Sequence, residues 1–206
     1  MAEGASQASQ TGVSMQRVFY MKLDELSCED WQNTQLHKIS TQRRDKVLRC
    51  VNMMDQVRSL AAGLLLYHGE NSLTQEERAY CSITHAGNYA AVVFSDAPVG
   101  IDVEFTHRFQ SHPDKLWRMA HKIFSQEEWD VFLTHPNGTG FLARTWTRKE
   151  AYGKRHGVGL AMDLPSLNTL DEDAFYSEYF KDGCWLSLYP KDCDFAIEEV
   201  MLSDLA

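Results

Sequence analysis

The run Gly100-Ile101-Asp102-Val103-Glu104-Phe105 constrains this chain more than any other, because two carboxylates stand one residue apart inside an apolar stretch. A β-strand alternates its side chains between two faces, so Ile101 and Val103 point into a core while Asp102 and Glu104 share the opposite face. Paired carboxylates repel each other, and a hard cation such as Mg2+, which prefers oxygen ligands, relieves that repulsion. A strand with a solvated polar face carries the same six residues. What separates the two is whether other phosphate-compatible groups converge on this strand.

The flanking sequence supplies such groups. Val47, Val51, Met54 and Val57, followed by Leu60, Ala61, Leu64 and Leu65, recur at spacings of three and four and predict one long helix over Ser40 to Tyr67. Its early part carries Arg43, Arg44, Lys46 and Arg49, which suit either a solvated face or a phosphate-docking surface. Cys81 to Ser95 reads as two strands joined at Ala86-Gly87-Asn88, leaving His85 at a strand end beside a tight turn. Ser125-Gln126-Glu127-Glu128 is a capping box opening a helix that Pro136-Asn137-Gly138 stops. The following helix, Phe141 to Lys154, puts Leu142, Thr145, Trp146 and Lys149 on one side, with Trp146 expected in the core. Glu150 and Lys154 are four apart on it, a spacing that suits an exposed pair or one shared ligand.

The rest of the chain is simpler. Gln16 to Leu23 predicts a first strand, Ser27 a helix start, and Phe175–Phe180, Cys184–Tyr189 and Phe195–Leu202 antiparallel strands. A long helix followed by strands therefore occurs once in each half. Residues 1–14 lack large apolar side chains and are expected to be a flexible leader.

Composition limits the function classes. With 206 residues, 44% of them hydrophobic, the chain can bury an ordinary core. Its net charge of −9 speaks against a general nucleic-acid binder, so an anion site must be a local basic patch. Five cysteines without C-x-x-C spacing signal neither a disulfide framework nor a zinc site. The longest apolar stretch, Leu60 to Tyr67, is too short for a membrane span, and a cytoplasmic location with no membrane partner is expected.

Taken in order, Ser82-Ile83-Thr84-His85, Gly100-Ile101-Asp102-Val103-Glu104 and Trp146-Thr147-Arg148-Lys149-Glu150-Ala151 ending at Lys154 resemble the 4′-phosphopantetheinyl transferase superfamily. Its signature joins G-[I/V]-D-[I/V/L]-E to W-x-x-K-E-[A/S]-x-x-K, and the likeness spans about residues 40 to 165. The length resembles the surfactin-synthetase-activating type. That implies an α/β (α+β) fold of two similar halves related by pseudo-twofold symmetry in a monomer. Residues 15–98 would form one half and 99–206 the other, with the active site between them.

The resemblance implies an enzyme that moves the phosphopantetheine arm of coenzyme A to a serine of an acyl, peptidyl or aryl carrier protein, releasing 3′,5′-ADP with Mg2+ as cofactor. Asp102, Glu104 and Glu150 match the metal ligands; Glu150, Lys154 and His85 match catalytic positions. Arg43, Lys46, Arg58, Ser59, Thr84, His85 and Lys154 match groups that hold coenzyme A. By the same resemblance Thr106 to Phe124 would face the carrier, with Phe109, Leu116 and Met119 as apolar contacts. Phe105 and Thr84 depart from the commoner basic residue and serine, which bears on substrate preference. The same fold without catalysis, as a module binding coenzyme A or a carrier, is the alternative, and a Mg2+-dependent phosphohydrolase is a third possibility.

Overall fold

The computed structural model describes residues 15–23, 35–110, 112–180, 182–191 and 194–205. The expected leader and the helix expected from Ser27 lie outside them. The strands are β1 (Met15–Lys22), β2 (Tyr80–Ala86), β3 (Tyr89–Ser95), β4 (Gly100–Phe105), β5 (Tyr176–Phe180), β6 (Cys184–Tyr189) and β7 (Asp194–Glu199). The α-helices are α1 (Thr41–Arg49), α2 (Met53–Ser72), α3 (Pro113–Ile123), α4 (Gln126–Thr134) and α5 (Gly138–His156). The fold is mixed α/β, as expected.

Strands form two sheets, ordered β2-β3-β1-β7 and β4-β6-β5. Each contains a leading strand and a later antiparallel hairpin, and in each the second hairpin strand lies beside the leading one. The order β2-β3-β1 thus recurs as β5-β6-β4. The last strand departs from the antiparallel expectation: β7 runs parallel to β1, with Phe195 opposite Gln16. Side-chain alternation fixes which residues share a face but carries no strand direction, so the sequence pattern does not distinguish the two pairings.

Three apolar clusters stack the layers. Leu60, Leu64 and Leu65 of α2 are fully buried on one face of the first sheet, against Phe19, Val92 and Phe94. Its other face supplies Val18, Ala91 and Val93, which meet Ile101 and Val103 of β4 and Leu186 and Leu188 of β6. Each fully buried aliphatic side chain of this kind stabilises the fold by roughly 1.5–3 kcal/mol. The third cluster lies under α3, α4 and α5 and includes Phe109, Phe124, Phe132 and Leu142.

The single long helix expected over Ser40 to Tyr67 is two helices. Ser40 caps α1 by accepting from Arg43 N, and Asn52 caps α2 by accepting from Met54 N and Asp55 N. Gln56 Nε2 donates to Cys50 O across the bend. An asparagine that satisfies two free N–H groups makes a new helix start favourable there, while the apolar spacing runs on unbroken. Val51, counted on the apolar face in sequence, is fully exposed at this bend. The capping box at Ser125 is present, with Glu128 returning its bond to Ser125 N at 2.8 Å.

Candidate active site

Helix α5 reaches β4 because Gly100 has no side chain. A Cβ there would stand 1.9 Å from Ala151 O, so only glycine lets the helix lie directly on the strand. That approach sets Glu150 and Lys154 opposite the acidic face of β4. Lys154 Nζ donates to Asp102 Oδ1 at 2.7 Å and to Ile101 O at 2.9 Å, and it reaches Ile83 O of β2 at 3.3 Å.

No backbone ladder joins β2 to β4, which belong to different sheets. Hydroxyls stitch them instead. Ser82 Oγ accepts from Ile101 N at 3.3 Å, and Thr84 Oγ1 accepts from Val103 N at 3.1 Å while donating to Asp102 Oδ1 at 3.0 Å. The alternation of β2 that turns Ser82 and Thr84 toward β4 thereby fixes the Asp102 carboxylate from a second side.

Beside this seam lies a cleft of about 370 Å³. Asp102 and Glu104 of β4 and Glu150 and Lys154 of α5 line it, and Thr84 and His85 enter from β2. The helical break brings in Arg43 and Lys46 from α1 and Ser59 from α2. Nine residues singled out in the sequence thus converge from five elements. Arg58 is not in the lining; its Nε donates to Gly87 O at 2.7 Å and its Nη1 pairs with Asp55 at 2.8 Å.

Four lining residues were not anticipated there: Ile83, Val103, Arg108 and Trp146. Arg108, in the turn after β4, pairs with Glu104 and places its guanidinium 5.4 Å from the Trp146 ring centre. Its sequence signal is the four-residue spacing from Glu104, masked by the absence of a helical pattern there. Trp146, expected in the core, is only partly buried and forms part of the cleft wall. Phe109, by contrast, is core rather than surface at 1% exposure, because the turn after β4 tucks it against Trp146. Leu116 and Met119 pack partly buried on the same cluster.

Charge in the cleft is divided. Burial pushes the Asp102 carboxyl above its ordinary range, and Lys154 and Thr84 oppose that rise. Glu150 is likewise raised, first by burial and then by the nearby Asp102 charge, against the pull of Lys154 and Arg108. His85 is held below the usual histidine range by desolvation of its ring and by Arg58, Lys154 and Lys46. The imidazole is therefore neutral near pH 7, and Glu150 is the more proton-accepting kind of carboxylate.

Three carboxylates in one cleft are the oxygen donors that Mg2+ prefers. Glu150 Oε1 is buried without a hydrogen-bond partner, the kind of atom a cation would satisfy. Among the described residues, however, no three such groups are gathered into ligating geometry. Lys154 and Arg108 stand as the counter-cations of Asp102 and Glu104. The donor types suit Mg2+, while their arrangement here does not gather them around one point.

Among known proteins, residues 98–187 match the model of the 4′-phosphopantetheinyl transferase superfamily. The chain is 25% identical over 180 residues to the 4′-phosphopantetheinyl transferase Sfp of Bacillus subtilis (strain 168), covering 75% of this chain and 78% of that protein. It is 29% identical over 109 residues to the 4′-phosphopantetheinyl transferase psf-1 of Bacillus pumilus, or 52% of this chain and 44% of the relative. A holo-[acyl-carrier-protein] synthase of Polynucleobacter necessarius is 35% identical over 82 residues, 36% of this chain and 60% of the relative. The family match runs from the start of β4 through α5 to β6, and the likeness to the Bacillus subtilis protein spans three quarters of the chain; the chain is similar to the 4′-phosphopantetheinyl transferase superfamily and is a transferase.

Proposed function

We propose that the protein transfers the 4′-phosphopantetheine arm of coenzyme A to a serine hydroxyl of an apo carrier protein. The observation that carries this is one cleft with an anion-holding side, Arg43, Lys46, His85 and Lys154, beside an acidic side, Asp102, Glu104 and Glu150. A pyrophosphate needs the first. A hydroxyl nucleophile that must lose a proton needs the second.

Arg43 and Lys46, projecting from α1, receive the 3′-phosphate, and Ser59 lies beside them. Lys154 and His85 meet the pyrophosphate, with Thr84 orienting Asp102 from behind. Arg58 contributes through its charge near His85 and its hold on the Gly87 turn. The serine oxygen forms a bond to the β-phosphorus while the bond from that phosphorus to the bridging oxygen breaks; 3′,5′-ADP leaves and the serine proton passes to Glu150. Its raised proton affinity suits Glu150 for that transfer at neutral pH. Asp102, Glu104 and Glu150 would hold Mg2+, which when bound neutralises charge on the pyrophosphate. Neutral His85 donates a hydrogen bond without having to release a proton.

The repeated strand order supports two pseudo-twofold related halves in a monomer, 15–98 and 99–206, with the cleft at their junction. A cytoplasmic location, with neither a membrane nor a nucleic-acid partner, belongs to the same reading; no helix among the described residues is long and apolar enough to cross a membrane. Incubation with coenzyme A, Mg2+ and a panel of apo fatty-acid, polyketide, nonribosomal-peptide and aryl carriers tests the proposal. A phosphopantetheine mass on at least one carrier is expected. Binding without transfer would indicate the non-catalytic module, and release of the arm to water a phosphohydrolase; either outcome overturns it.

A further inference from the structure

Lys149 belongs to the W-x-x-K-E run yet does not line the cleft. It is completely buried, and its ammonium is fully used: Nζ lies 2.7 Å from Glu128 Oε2, 2.7 Å from Leu164 O and 2.6 Å from Leu167 O. Three donors meet three acceptors, which leaves none for a substrate. Glu128 is equally buried and equally engaged. Oε2 also accepts from Ser125 N, and Oε1 accepts from Thr169 N and Thr169 Oγ1, both at 2.7 Å.

A buried ion pair of this kind is weak evidence for added stability, since well-packed apolar residues of like volume commonly hold a fold as firmly. What a saturated network supplies is one geometry. The neighbouring residues Thr147 and Arg148 are also buried, and they bind elsewhere: Thr147 Oγ1 lies 2.7 Å from Ser187 Oγ of β6, and Arg148 Nε donates to Ser177 Oγ of β5 at 2.8 Å. Three consecutive side chains of α5 therefore tie the helix to β6, to β5, and to the start of α4 with the 164–169 segment. The next residue is Glu150.

We infer that Lys149 is a positioning residue: its bond to Glu128 fixes the rotation of α5 so that Glu150 faces the cleft opposite Asp102. This rests on the proposed function, in which Glu150 acts from the cleft lining. Lys149 never touches coenzyme A, and its removal changes turnover rather than substrate binding. A misplacement of about 1 Å at a reacting group costs up to about a hundredfold in rate.

The test compares the wild type with E128Q/K149M, which removes both charges together, and with T169V, which deletes only the Thr169 hydroxyl bond to Glu128. Calorimetric titration with coenzyme A counts folded sites, and transfer to an apo carrier gives kcat and KM. For E128Q/K149M the expectation is one coenzyme A per folded chain, KM within about twofold and kcat at least about tenfold lower per competent site. For T169V a smaller loss, about two- to fivefold in kcat with KM unchanged, is expected. Wild-type kcat per competent site in E128Q/K149M, or a loss confined to KM, overturns the inference. Should the double variant fail to bind, T169V decides, and unchanged kcat there overturns it. Absence of transfer by the wild type itself counts against the proposed function instead.

Discussion

The ammonium of Lys154 stands 2.7 Å from Asp102 Oδ1 and also reaches the carbonyls of Ile101 and Ile83, so one side chain of α5 clasps β4 and β2. It is at once the counter-charge of a buried carboxylate and a cation of the cleft.

Lys154→Met should therefore lose transfer and also destabilise the protein, by about 1.5–3 kcal/mol for a charge-assisted bond whose buried partner is left behind. Adding Asp102→Asn removes the unpaired carboxylate and should recover part of the stability but none of the activity. Denaturant unfolding of the two variants checks this; additive losses would contradict it.

Gly100→Ala should push α5 away from β4, since the added methyl carbon would meet Ala151 O at 1.9 Å. Overpacking against backbone costs about 1–3 kcal/mol, and here the displacement falls on Glu150 and Lys154 as well. The expected outcome is a lowered unfolding midpoint with a disproportionate loss of transfer. Wild-type values of both would mean the helix is not held as described.

Arg43→Ala should raise the KM for coenzyme A about ten- to hundredfold, the equivalent of one charged phosphate contact, with kcat little changed. Steady-state kinetics at saturating carrier distinguishes this from a loss of turnover, which would remove Arg43 from the phosphate end of the cleft.

Glu172 offers a test of pH dependence away from the cleft. Burial alone would raise its carboxyl, but Arg148 and Arg144, both ion-paired to it, hold it below the ordinary value of 4.5. A carboxylate with a depressed folded pKa stabilises above its unfolded pKa, and that contribution is lost as pH falls through the folded one. Glu172→Gln should accordingly lower stability near pH 7 and converge on the wild type as pH falls from the ordinary value through the depressed folded one. Melting curves across that range check the sign; a gap that widens toward acid would contradict it.

Much of the site was legible because its residues sit on strongly patterned elements. Alternation alone put Asp102 and Glu104 on one face of β4, and the four-residue spacing put Glu150 one turn from Lys154. The break at Cys50 to Asn52 was not legible, because the apolar spacing continues through it while the asparagine cap acts on backbone N–H groups. The β2–β4 seam was hidden for a different reason. Ser82 and Thr84 act as hydroxyl bridges between two sheets, and no local pattern announces which strands of separate sheets will meet. Lys149 looked like a neighbour of the ligand groups, and its partner Glu128 was visible only as half of a capping box.

The most direct measurement is single-turnover transfer by Glu150→Gln, set against its affinity for coenzyme A. The variant keeps Arg43, Lys46, His85 and Lys154, so coenzyme A should still bind, with any change in affinity about tenfold or less, while transfer to a carrier accepted by the wild type falls by about a hundredfold or more. Near-normal transfer by this variant would contradict the account, because Glu150 would then have no part in the chemistry.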